Sequence, residues 1–416
     1  MVKYVLGLGA LLLLFASYIL YPVFLHPDLP LQLFFKSLVF KLSVRFSDII
    51  KFRHELYKVR NTTMESPLLI KTTFQIHYIT LSSELYLPEK DNPSHESHYS
   101  LRVYQPKQYK SGGYPVLMYT HGGGWVLNHL DVYDLFCRKM AERGFVVVSV
   151  GYRKAPEHVF PACLNDVLNA LTWIGKNLKS EIIPQQQQSS SSSSSHQSLE
   201  NKFNANVNQL TISGDSAGAH LSIHALVRIF MSDPEIVKRE QIPKVSYQAL
   251  FYPAAHFYMA NKTRFESYKL FASHGYILDD PVLEKFWRYL VGNDVSIEEA
   301  ALNPYLSILS AMDPRLVESK SLYAKFPSGF VISAEYDILR DEAAEFAKAV
   351  TEASNGTSVL KHLRTPKVTH GFAQFPSDEM ANHFAALIKS YFASAATTTT
   401  TTTGGVSQPQ QQYEQK

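Results

Sequence analysis

The chain has 416 residues, 45% of them hydrophobic, which is enough for one large globular domain with a buried core or for two smaller ones. Its 40 basic and 37 acidic residues leave a formal net charge of +3, so the charge balance does not indicate nucleic-acid binding. The two cysteines, Cys137 and Cys163, are too few for a disulfide scaffold and lack the spacing of a metal site. We expect two buried free thiols, although an oxidising compartment would allow them to pair.

The first predicted element is an uncharged apolar run from Tyr4 to Leu25. Its length matches the about 20 residues that a helix needs to cross a bilayer. No small-residue cleavage pattern follows the run, which favours an uncleaved anchor over a cleaved signal peptide. We therefore predict that residues 1–30 form a transmembrane signal anchor.

Two signals bear on the orientation of this anchor, and they disagree. Lys36, Lys41 and Arg45 follow the span, and the positive-inside rule would then favour a cytosolic body. Sequons of the N-x-[ST] type are candidate glycosylation sites and favour a lumenal body instead. The sequons are at Asn61, Asn261 and Asn355.

A helical spacing of apolar residues follows between Leu31 and Tyr57. The simplest interpretation is a helix packed on the core of the protein. A helix that also rests on the membrane surface is the alternative, and the two interpretations are compatible.

From about residue 74 the pattern alternates between short apolar strands and amphipathic helices. The predicted strands are Phe74–Thr80, Leu101–Gln105, Pro115–Thr120, Phe145–Gly151, Gln209–Ser213, Tyr247–Tyr252, Gly329–Ala334 and Val359–Leu363. Helical periodicity occurs near 131–142, 164–179, 217–231, 341–353 and 379–393. This alternation predicts a mostly parallel sheet with helices on both faces. Active sites of such folds lie at the carboxyl edge of the sheet.

The motif HGGGW directly follows the third predicted strand, at residues 121–125. Consecutive glycines let backbone amides face a cavity without side chains in the way. Such amides can stabilise the oxygen of a carbonyl group that gains negative charge, as in an oxyanion hole. A glycine-rich turn without a chemical role is the plain alternative. A phosphate-binding loop is disfavoured because the pattern G-x-x-x-x-G-K-[ST] is absent from the sequence.

Two polar segments interrupt this pattern. Residues 185–206 contain four consecutive glutamines and seven consecutive serines, and residues 397–416 begin with seven threonines. Both segments are too polar to bury apolar surface, and we predict that both are disordered. The first lies between a predicted helix and the following strand, at the edge of the sheet opposite its carboxyl edge.

The stretch GDSAG, residues 214–218, lies between the fifth predicted strand and a predicted helix. The pattern G-x-S-x-G in this context is the nucleophile elbow, which makes Ser216 a candidate nucleophile. Gly214 and Gly218 would fit such a tight turn, and Asp215 and Ala217 occupy the two variable positions of the pattern. A small-residue turn that only changes the chain direction is the alternative.

In a nucleophile-elbow fold, an acid and then a histidine follow the serine in chain order. Asp337 lies in the loop after the seventh predicted strand and is the candidate acid. Asp341 and Glu342 fall in the first turn of the next predicted helix, where the helix dipole favours carboxylates. His370 follows the last predicted strand and is the candidate base, whereas His362 lies within that strand and is interpreted as structural.

With these pieces the chain resembles the hormone-sensitive-lipase family of α/β-hydrolases. The matching segments are H-G-G-G at 121–124, YRKAPEHVFPACLND at 152–166, G-D-S-A-G at 214–218, D-x-L-R-D-E at 337–342 and H-G-F at 370–372. The resemblance covers about residues 95–393 apart from the polar insertion. With its N-terminal anchor, the chain also resembles membrane-anchored arylacetamide deacetylases and fungal steryl acetyl hydrolases.

The resemblance implies an α/β-hydrolase fold within residues 31–396 and a helical cap from residues 31–70 and about 255–310. It also implies a triad of Ser216, Asp337 and His370. The implied oxyanion donors are the amides of Gly122, Gly123 and Ala217, while His121 and Gly124 complete the glycine motif. Arg153, Glu157 and Asp166 would be structural supports. No cofactor and no metal are implied.

The activity implied by the resemblance is that of a membrane-anchored serine carboxylic-ester hydrolase. The expected substrates are lipophilic acetyl esters such as sterol acetates, and the expected location is the endoplasmic reticulum membrane with a lumenal catalytic domain. A lipase, an arylamide deacetylase and a non-catalytic ligand receptor on the same scaffold remain open. Receptors of this kind lose the histidine that His370 supplies here, which favours an enzyme. The sequence does not determine the oligomeric state.

Overall fold

The computed structural model describes residues 74–82, 98–178, 203–273, 277–309 and 319–401. Its strands are β1 (Phe74–Ser82), β2 (His98–Pro106), β3 (Tyr114–Thr120), β4 (Val146–Gly151), β5 (Ala205–Asp215), β6 (Tyr247–Phe251), β7 (Gly329–Tyr336) and β8 (Leu360–Thr369). Its α-helices are α1 (Asp134–Glu142), α2 (Ala162–Asn177), α3 (Ala217–Phe230), α4 (Pro234–Arg239), α5 (Glu266–Phe271), α6 (Asp280–Val291), α7 (Ile297–Leu302), α8 (Ser319–Tyr323), α9 (Arg340–Ala353) and α10 (Asp378–Thr401). Short 3₁₀ turns occupy Leu130–Tyr133, Tyr258–Ala260 and Phe372–Gln374.

These strands form one sheet in the order β1-β2-β4-β3-β5-β6-β7-β8. The pairs from β4 through β3 to β8 are all parallel. Parallel pairs require crossover connections, so the carboxyl ends of β3, β5, β7 and β8 meet at one edge. The predicted mostly parallel sheet is confirmed. The antiparallel pairing of β2 with β1 and β4 was not evident from the sequence pattern.

Side chains of the sheet alternate between two hydrophobic cores. On β4, Val146, Val148 and Val150 lie in the first core, and Val147 lies in the second. Helices α2, α3 and α9 cover the first core, whereas α1 and α10 cover the second. A strand that is buried on both faces carries a nearly continuous apolar run, which explains the sequence VVVSV. The predicted α/β-hydrolase architecture, with helices on both faces of the sheet, is confirmed.

The end of the polar insertion differs from the prediction. Strand β5 begins at Ala205, and Phe203 just before it is only 5% exposed. The ring of Phe203 meets His77 at a centroid distance of 5.1 Å and Trp173 at 5.9 Å. Residues 203–206 therefore belong to the fold. The asparagine-rich composition around Phe203 concealed this, because composition does not show which single apolar residue is buried.

The start of the predicted C-terminal tail also differs. Helix α10 continues to Thr401, into the threonine run that we expected to be disordered from residue 397. Adding a residue to an existing helix forms one more hydrogen bond and needs no new nucleus, so a helix can extend into residues of modest propensity. The remainder of both polar segments lies outside the described residues.

The segment between β6 and β7 contains α5, α6, α7 and α8 and covers the predicted cap region at about 255–310. The other predicted cap segment, residues 31–70, lies outside the described ranges, as does the predicted span at 4–25. Among the helices that the structure does describe, none combines the length and the apolar character needed to cross a membrane.

The two cysteines are buried and free, as predicted. Cys163 belongs to the first core and Cys137 to the second. Burial raises the pKa of each thiol to about 12, which keeps both thiols protonated and unreactive at neutral pH.

We expect deletion of residues 185–200 to leave the melting temperature unchanged, whereas deletion of residues 185–206 lowers it. The longer deletion removes Phe203 and the first two residues of β5. Losing a buried phenylalanine side chain costs about 3–5 kcal/mol of the free energy of unfolding. Thermal melts of both variants, each closed with a short Gly/Ser link, measure the difference, and Phe203→Ala serves as a point control. Equal melting temperatures for the two deletions would show that Phe203 does not support the fold.

Candidate active site

Ser216 lies on the tight turn between β5 and α3, at the carboxyl edge of the sheet. Its backbone angles are φ 52° and ψ −122°, a conformation that residues other than glycine rarely adopt. Gly218 allows the turn to press against β3, because a Cβ added there would lie 2.0 Å from the carbonyl oxygen of Thr120. Strained backbone of this kind persists only where the surrounding packing holds it, and it is common at functional sites. The turn presents the Ser216 hydroxyl to a cavity above the amino end of α3.

The structure brings the candidate acid and base together with Ser216. Asp337 directly follows β7, and His370 directly follows β8. The Nε2 atom of His370 lies 2.8 Å from the Oγ atom of Ser216, and its Nδ1 atom lies 2.7 Å from Oδ2 of Asp337. The buried Asp337 carboxylate also accepts a 2.9 Å hydrogen bond from the amide of Leu339.

This geometry assigns the proton on the imidazole. A carboxylate can only accept a hydrogen bond, so the Nδ1 atom of His370 carries the proton that faces Asp337. Nε2 is then free to accept the proton of the Ser216 hydroxyl. A serine hydroxyl that loses its proton in this way can act as a nucleophile.

One predicted oxyanion donor is engaged elsewhere. The amide of Gly122 donates a 2.8 Å hydrogen bond to Oδ1 of Asp215, so it is directed at this carboxylate rather than into the cavity. Gly123, Gly124 and Ala217 line the cavity. Within the described ranges, the amides of these three residues donate to no protein acceptor. The candidate oxyanion donors are therefore corrected to the amides of Gly123, Gly124 and Ala217.

Asp215 has a role that its position in the GDSAG motif did not reveal. Its carboxylate is fully buried, and it accepts hydrogen bonds from the hydroxyls of Tyr119 at 3.0 Å and Tyr133 at 2.8 Å as well as from Gly122. Burial raises the pKa of Asp215 to about 6, although the bonds from Tyr133, Gly122 and Tyr119 oppose this shift. Asp215 thus links the nucleophile turn, residues 214–218, to the glycine turn, residues 121–125. Its partners lie more than 80 residues away in the chain, so no local spacing could have indicated them.

The side chain of His121 stabilises the glycine turn through one hydrogen bond and two ring contacts. Its Nδ1 atom donates a 2.8 Å hydrogen bond to the carbonyl oxygen of Gly122. Its ring stacks against Tyr152 and Tyr133 at centroid distances of 4.6 Å and 5.7 Å. Burial lowers the pKa of His121 well below its usual value, so the imidazole is neutral at pH 7. A neutral, fully buried ring of this kind fits a structural role.

The two other carboxylates of the D-x-L-R-D-E segment hold the cap region. Asp341 and Glu342 lie in the first turn of α9, as predicted, but their main partners are not the helix dipole. Asp341 accepts a 2.7 Å hydrogen bond from the amide of Ser267 in α5. The fully buried Glu342 accepts a 2.8 Å bond from the amide of Ala255 and another from the hydroxyl of Tyr268. Burial raises the pKa of Glu342 to about 8 despite these bonds. Neither carboxylate is bonded to the candidate base.

The remaining motif residues lie away from the cavity. Arg153 and Asp166 form a buried ion pair at 2.8 Å, in keeping with a supporting role, whereas Glu157 is exposed. His362 lies within β8, where its Nε2 atom is 2.8 Å from the hydroxyl of Ser333.

Two of the three sequons lie in the described ranges, and both asparagines, Asn261 and Asn355, are exposed. Asn61 lies outside these ranges. Surface exposure is a requirement for glycosylation at such sites.

The cavity above Ser216 has a volume of about 240 Å³ and an apolar lining. Helix α6 contributes Leu283 and Phe286, and the neighbouring loop contributes Ile277 and Leu278. Phe375 also lines the cavity and is 63% exposed, so the cavity opens to solvent beside this ring. Among its described lining residues there is no lysine, arginine, aspartate or glutamate. The described ranges also contain no group of three or more His, Cys, Asp or Glu side chains that could hold a metal ion.

Comparison with proteins of known sequence gives matches over most of this domain. The chain is 32% identical to "Carboxylic ester hydrolase LipN" of Mycobacterium tuberculosis over 275 residues, which are 65% of this chain and 60% of the mycobacterial protein. It is 24% identical to "Arylacetamide deacetylase" of Oryctolagus cuniculus over 372 residues, which are 78% of this chain and 80% of that protein.

Comparison with solved structures finds the same fold. An esterase from Pyrobaculum calidifontis superimposes with a TM-score of 0.59 at 24% identity, covering 87% of this chain and 98% of that one. The ester hydrolase EH1AB1 from the Lake Arreo metagenome superimposes with a TM-score of 0.60 at 23% identity, covering 84% of this chain and 92% of that one.

A family model for the alpha/beta hydrolase fold matches residues 117–374, which include the glycine turn, the nucleophile turn, Asp337 and His370. The described site contains the set of groups that a serine ester hydrolase requires. The chain therefore belongs to the α/β-hydrolase fold family, in the hormone-sensitive-lipase group whose motifs it carries.

Proposed function

We propose that this protein is a serine carboxylic-ester hydrolase that removes short acyl groups, acetyl above all, from lipophilic alcohols such as sterols. The observation that carries the proposal is the continuous chain of hydrogen bonds from Asp337 through His370 to the Ser216 hydroxyl, with bonds of 2.7 Å and 2.8 Å. Its position beside an apolar cavity supports an uncharged substrate.

The proposed reaction begins when the Oγ atom of Ser216 attacks the ester carbonyl carbon and His370 takes the hydroxyl proton at Nε2. Asp337 keeps the imidazole in the required tautomer and stabilises the imidazolium. The carbonyl oxygen gains negative charge and accepts hydrogen bonds from the amides of Gly123, Gly124 and Ala217. The amino end of α3 adds to this stabilisation.

The intermediate then breaks down in two steps. His370 returns the proton to the alcohol oxygen, and the alcohol leaves an acyl group on Ser216. Water, activated by the same imidazole, attacks the acyl group and releases the acid.

The size of the cavity supports a short acyl group. Its volume of about 240 Å³ is below the about 300–1,000 Å³ of sites that enclose a whole drug-sized ligand. A sterol acetate would therefore place its acetyl group and the adjoining ring inside, and the rest of its apolar body would leave past Phe375. An exposed aromatic ring at that position suits such a substrate, because covering apolar surface is favourable.

An arylamide deacetylase is the second candidate, because arylacetamide deacetylases of three species match 66–78% of this chain. The same nucleophile, base and oxyanion donors would cleave an amide, but the leaving amine must be protonated by His370. The catalytic residues do not distinguish the two reactions, so the substrate has to be identified by activity.

A substrate panel tests the proposed function. We expect the full-length chain in detergent micelles to hydrolyse 4-nitrophenyl acetate and a sterol acetate, with kcat/KM falling from acetyl to butyryl and to oleoyl esters of one alcohol. An arylacetamide and trioleoylglycerol are included for comparison. A higher kcat/KM for the arylacetamide than for the sterol acetate would favour the second candidate, and a preference for oleoyl esters would overturn the acyl-length proposal.

We propose in addition that residues 4–25 anchor the protein in the endoplasmic reticulum membrane with the catalytic domain in the lumen. The uncharged run supports the anchor, and the exposed positions of Asn261 and Asn355 support a lumenal domain. An anchored enzyme would meet substrates that partition into the bilayer, in agreement with the apolar cavity.

We expect the catalytic domain to be resistant to added protease in intact microsomes and to be digested after detergent is added. Loss of Asn261 and Asn355 by substitution to Gln should increase electrophoretic mobility if either residue carries a glycan. Digestion without detergent would reverse the proposed orientation and leave the enzyme assignment intact.

We expect Asp337→Asn to lower kcat by about 10⁴-fold, because an amide at this position stabilises the wrong imidazole tautomer. Ser216→Ala and His370→Ala should fall as low or lower, since the residues of a triad act as a unit. The measurement is kcat on 4-nitrophenyl acetate.

Asp341→Asn is the matched control, since it makes the same change four residues away. This variant weakens the hydrogen bond to Ser267 and the ion pair with Arg340, so its melting temperature should fall while kcat stays within a few-fold. If Asp341→Asn lost catalysis and Asp337→Asn kept it, the acid would be misassigned.

A further inference from the structure

A tyrosine that follows β6 occupies a strained position beside the candidate base. Tyr252 has a φ of 34°, which residues other than glycine seldom adopt. Its amide donates a 2.6 Å hydrogen bond to the carbonyl oxygen of Ile332 in β7, and its side chain is fully buried. Backbone strain of this kind is retained only where the surrounding contacts impose it, and it often marks a functional position.

The ring of Tyr252 packs against the imidazole of His370. The two ring centroids are 4.5 Å apart and the ring planes are inclined by 56°. Phe372, two residues after the base, packs against the same tyrosine at 5.1 Å. Tyr252 therefore limits the movement of His370 on the side of the imidazole that this ring covers.

The hydroxyl of Tyr252 connects the segment that follows the base with the nucleophile turn. It accepts a 3.1 Å hydrogen bond from the amide of Ala373, which is fully buried. Its own proton faces Oδ2 of Asp215 at 3.5 Å, a long contact that is electrostatically favourable. Burial raises the pKa of Tyr252 well above its usual value, so the hydroxyl remains protonated during turnover.

These contacts join the two partners of the proton transfer. Asp215 is bonded covalently to Ser216, and Ala373 lies three residues after His370. Tyr252 therefore contacts both the segment that contains Ser216 and the segment that follows His370. A proton transfer between groups held at hydrogen-bond distance loses rate steeply when the groups are misplaced by a fraction of an ångström to an ångström.

We propose that Tyr252 is a positioning residue for catalysis, which acts by holding the imidazole of His370 and the segment after it in register with Ser216. This inference rests on the proposed function, because it assigns a role within the serine-hydrolase reaction. Tyr252 does not contact the reacting atoms, and it acts through His370.

Tyr252→Phe is the test variant, since it removes one oxygen atom and keeps the ring against His370. The amide of Ala373 then loses its acceptor in a buried position, so the segment after the base is expected to shift. We expect kcat on 4-nitrophenyl acetate to fall by roughly 10- to 100-fold, the effect of leaving a buried donor unpaired beside the reacting groups. KM should change by less than about threefold, since Tyr252 does not line the cavity.

Tyr323→Phe is the matched control. The Tyr323 hydroxyl is also buried and donates a 2.6 Å hydrogen bond to the carbonyl oxygen of Ile308, but its ring packs against Phe346 and not against the base. If Tyr252 served only to stabilise the core, the two variants would behave alike. We expect Tyr323→Phe to lower the melting temperature about as much as Tyr252→Phe does, with a much smaller loss of kcat.

Two further measurements separate positioning from general stability. The rate of Ser216 labelling by a fluorophosphonate depends on proton transfer to His370, so it should fall in Tyr252→Phe in parallel with kcat. Hydrogen exchange of the peptide that covers residues 371–374 should be slow in the wild-type protein and faster in Tyr252→Phe only. The exchange of the wild-type peptide does not depend on whether the variant folds.

Equal losses of kcat in the two tyrosine variants, or no loss in Tyr252→Phe, would overturn the inference, as would rapid exchange of the 371–374 peptide in the wild-type protein. Failure of the proposed function would look different, because wild-type protein would then neither hydrolyse 4-nitrophenyl acetate nor be labelled by the fluorophosphonate. Wild-type turnover combined with a selective loss of kcat and of labelling in Tyr252→Phe would support the inference.

Discussion

The buried carboxylate of Asp215 holds together the chain segments that meet at the nucleophile. It accepts hydrogen bonds from Gly122 in the glycine turn, from Tyr119 in β3 and from Tyr133 in the 3₁₀ turn that follows. Burying a carboxylate is costly, and these hydrogen bonds offset part of the cost. These hydrogen bonds therefore fix the position of the glycine turn relative to Ser216. They direct the amide of Gly122 to Asp215 and leave the amides of Gly123 and Gly124 facing the cavity.

The cap region is attached to this framework at two places. On one side, α6 lies on the glycine turn: a Cβ added at Gly124 would be 2.4 Å from the ring of Phe286, and Trp287 lies 4.3 Å from Trp125 between ring centroids. On the other side, Asp341 and Glu342 bond to the cap region just after the loop that carries Asp337. The same contacts thus stabilise both the cap residues that line the cavity and the segments that carry the catalytic groups. A change in the cap can alter the oxyanion donors without touching Ser216.

Much of this arrangement could be predicted from the sequence because it depends on local patterns. The alternation of apolar strands and amphipathic helices indicated a mostly parallel sheet, since each face of a strand and each stripe of a helix must be buried. The nucleophile turn was recognisable because its small residues are required at fixed spacing around Ser216. Asp337 and His370 could be placed because each follows a strand that ends at the carboxyl edge.

The tertiary structure alone decided which of these groups bond to one another. The sequence by itself determined the fold class and the order of the candidate residues, and it favoured two buried free thiols over a disulfide. It could not show that the amide of Gly122 faces Asp215 or that Glu342 is buried under the cap region. It also could not show that Phe203, at the end of the polar insertion, is buried in the core. Each of these depends on contacts between residues far apart in the chain or on the burial of a single side chain. The spacing of residues in the sequence shows only which residues are close along the chain. Hydrogen-bond partners and burial depend on how the sheet and its crossover connections bring distant segments together.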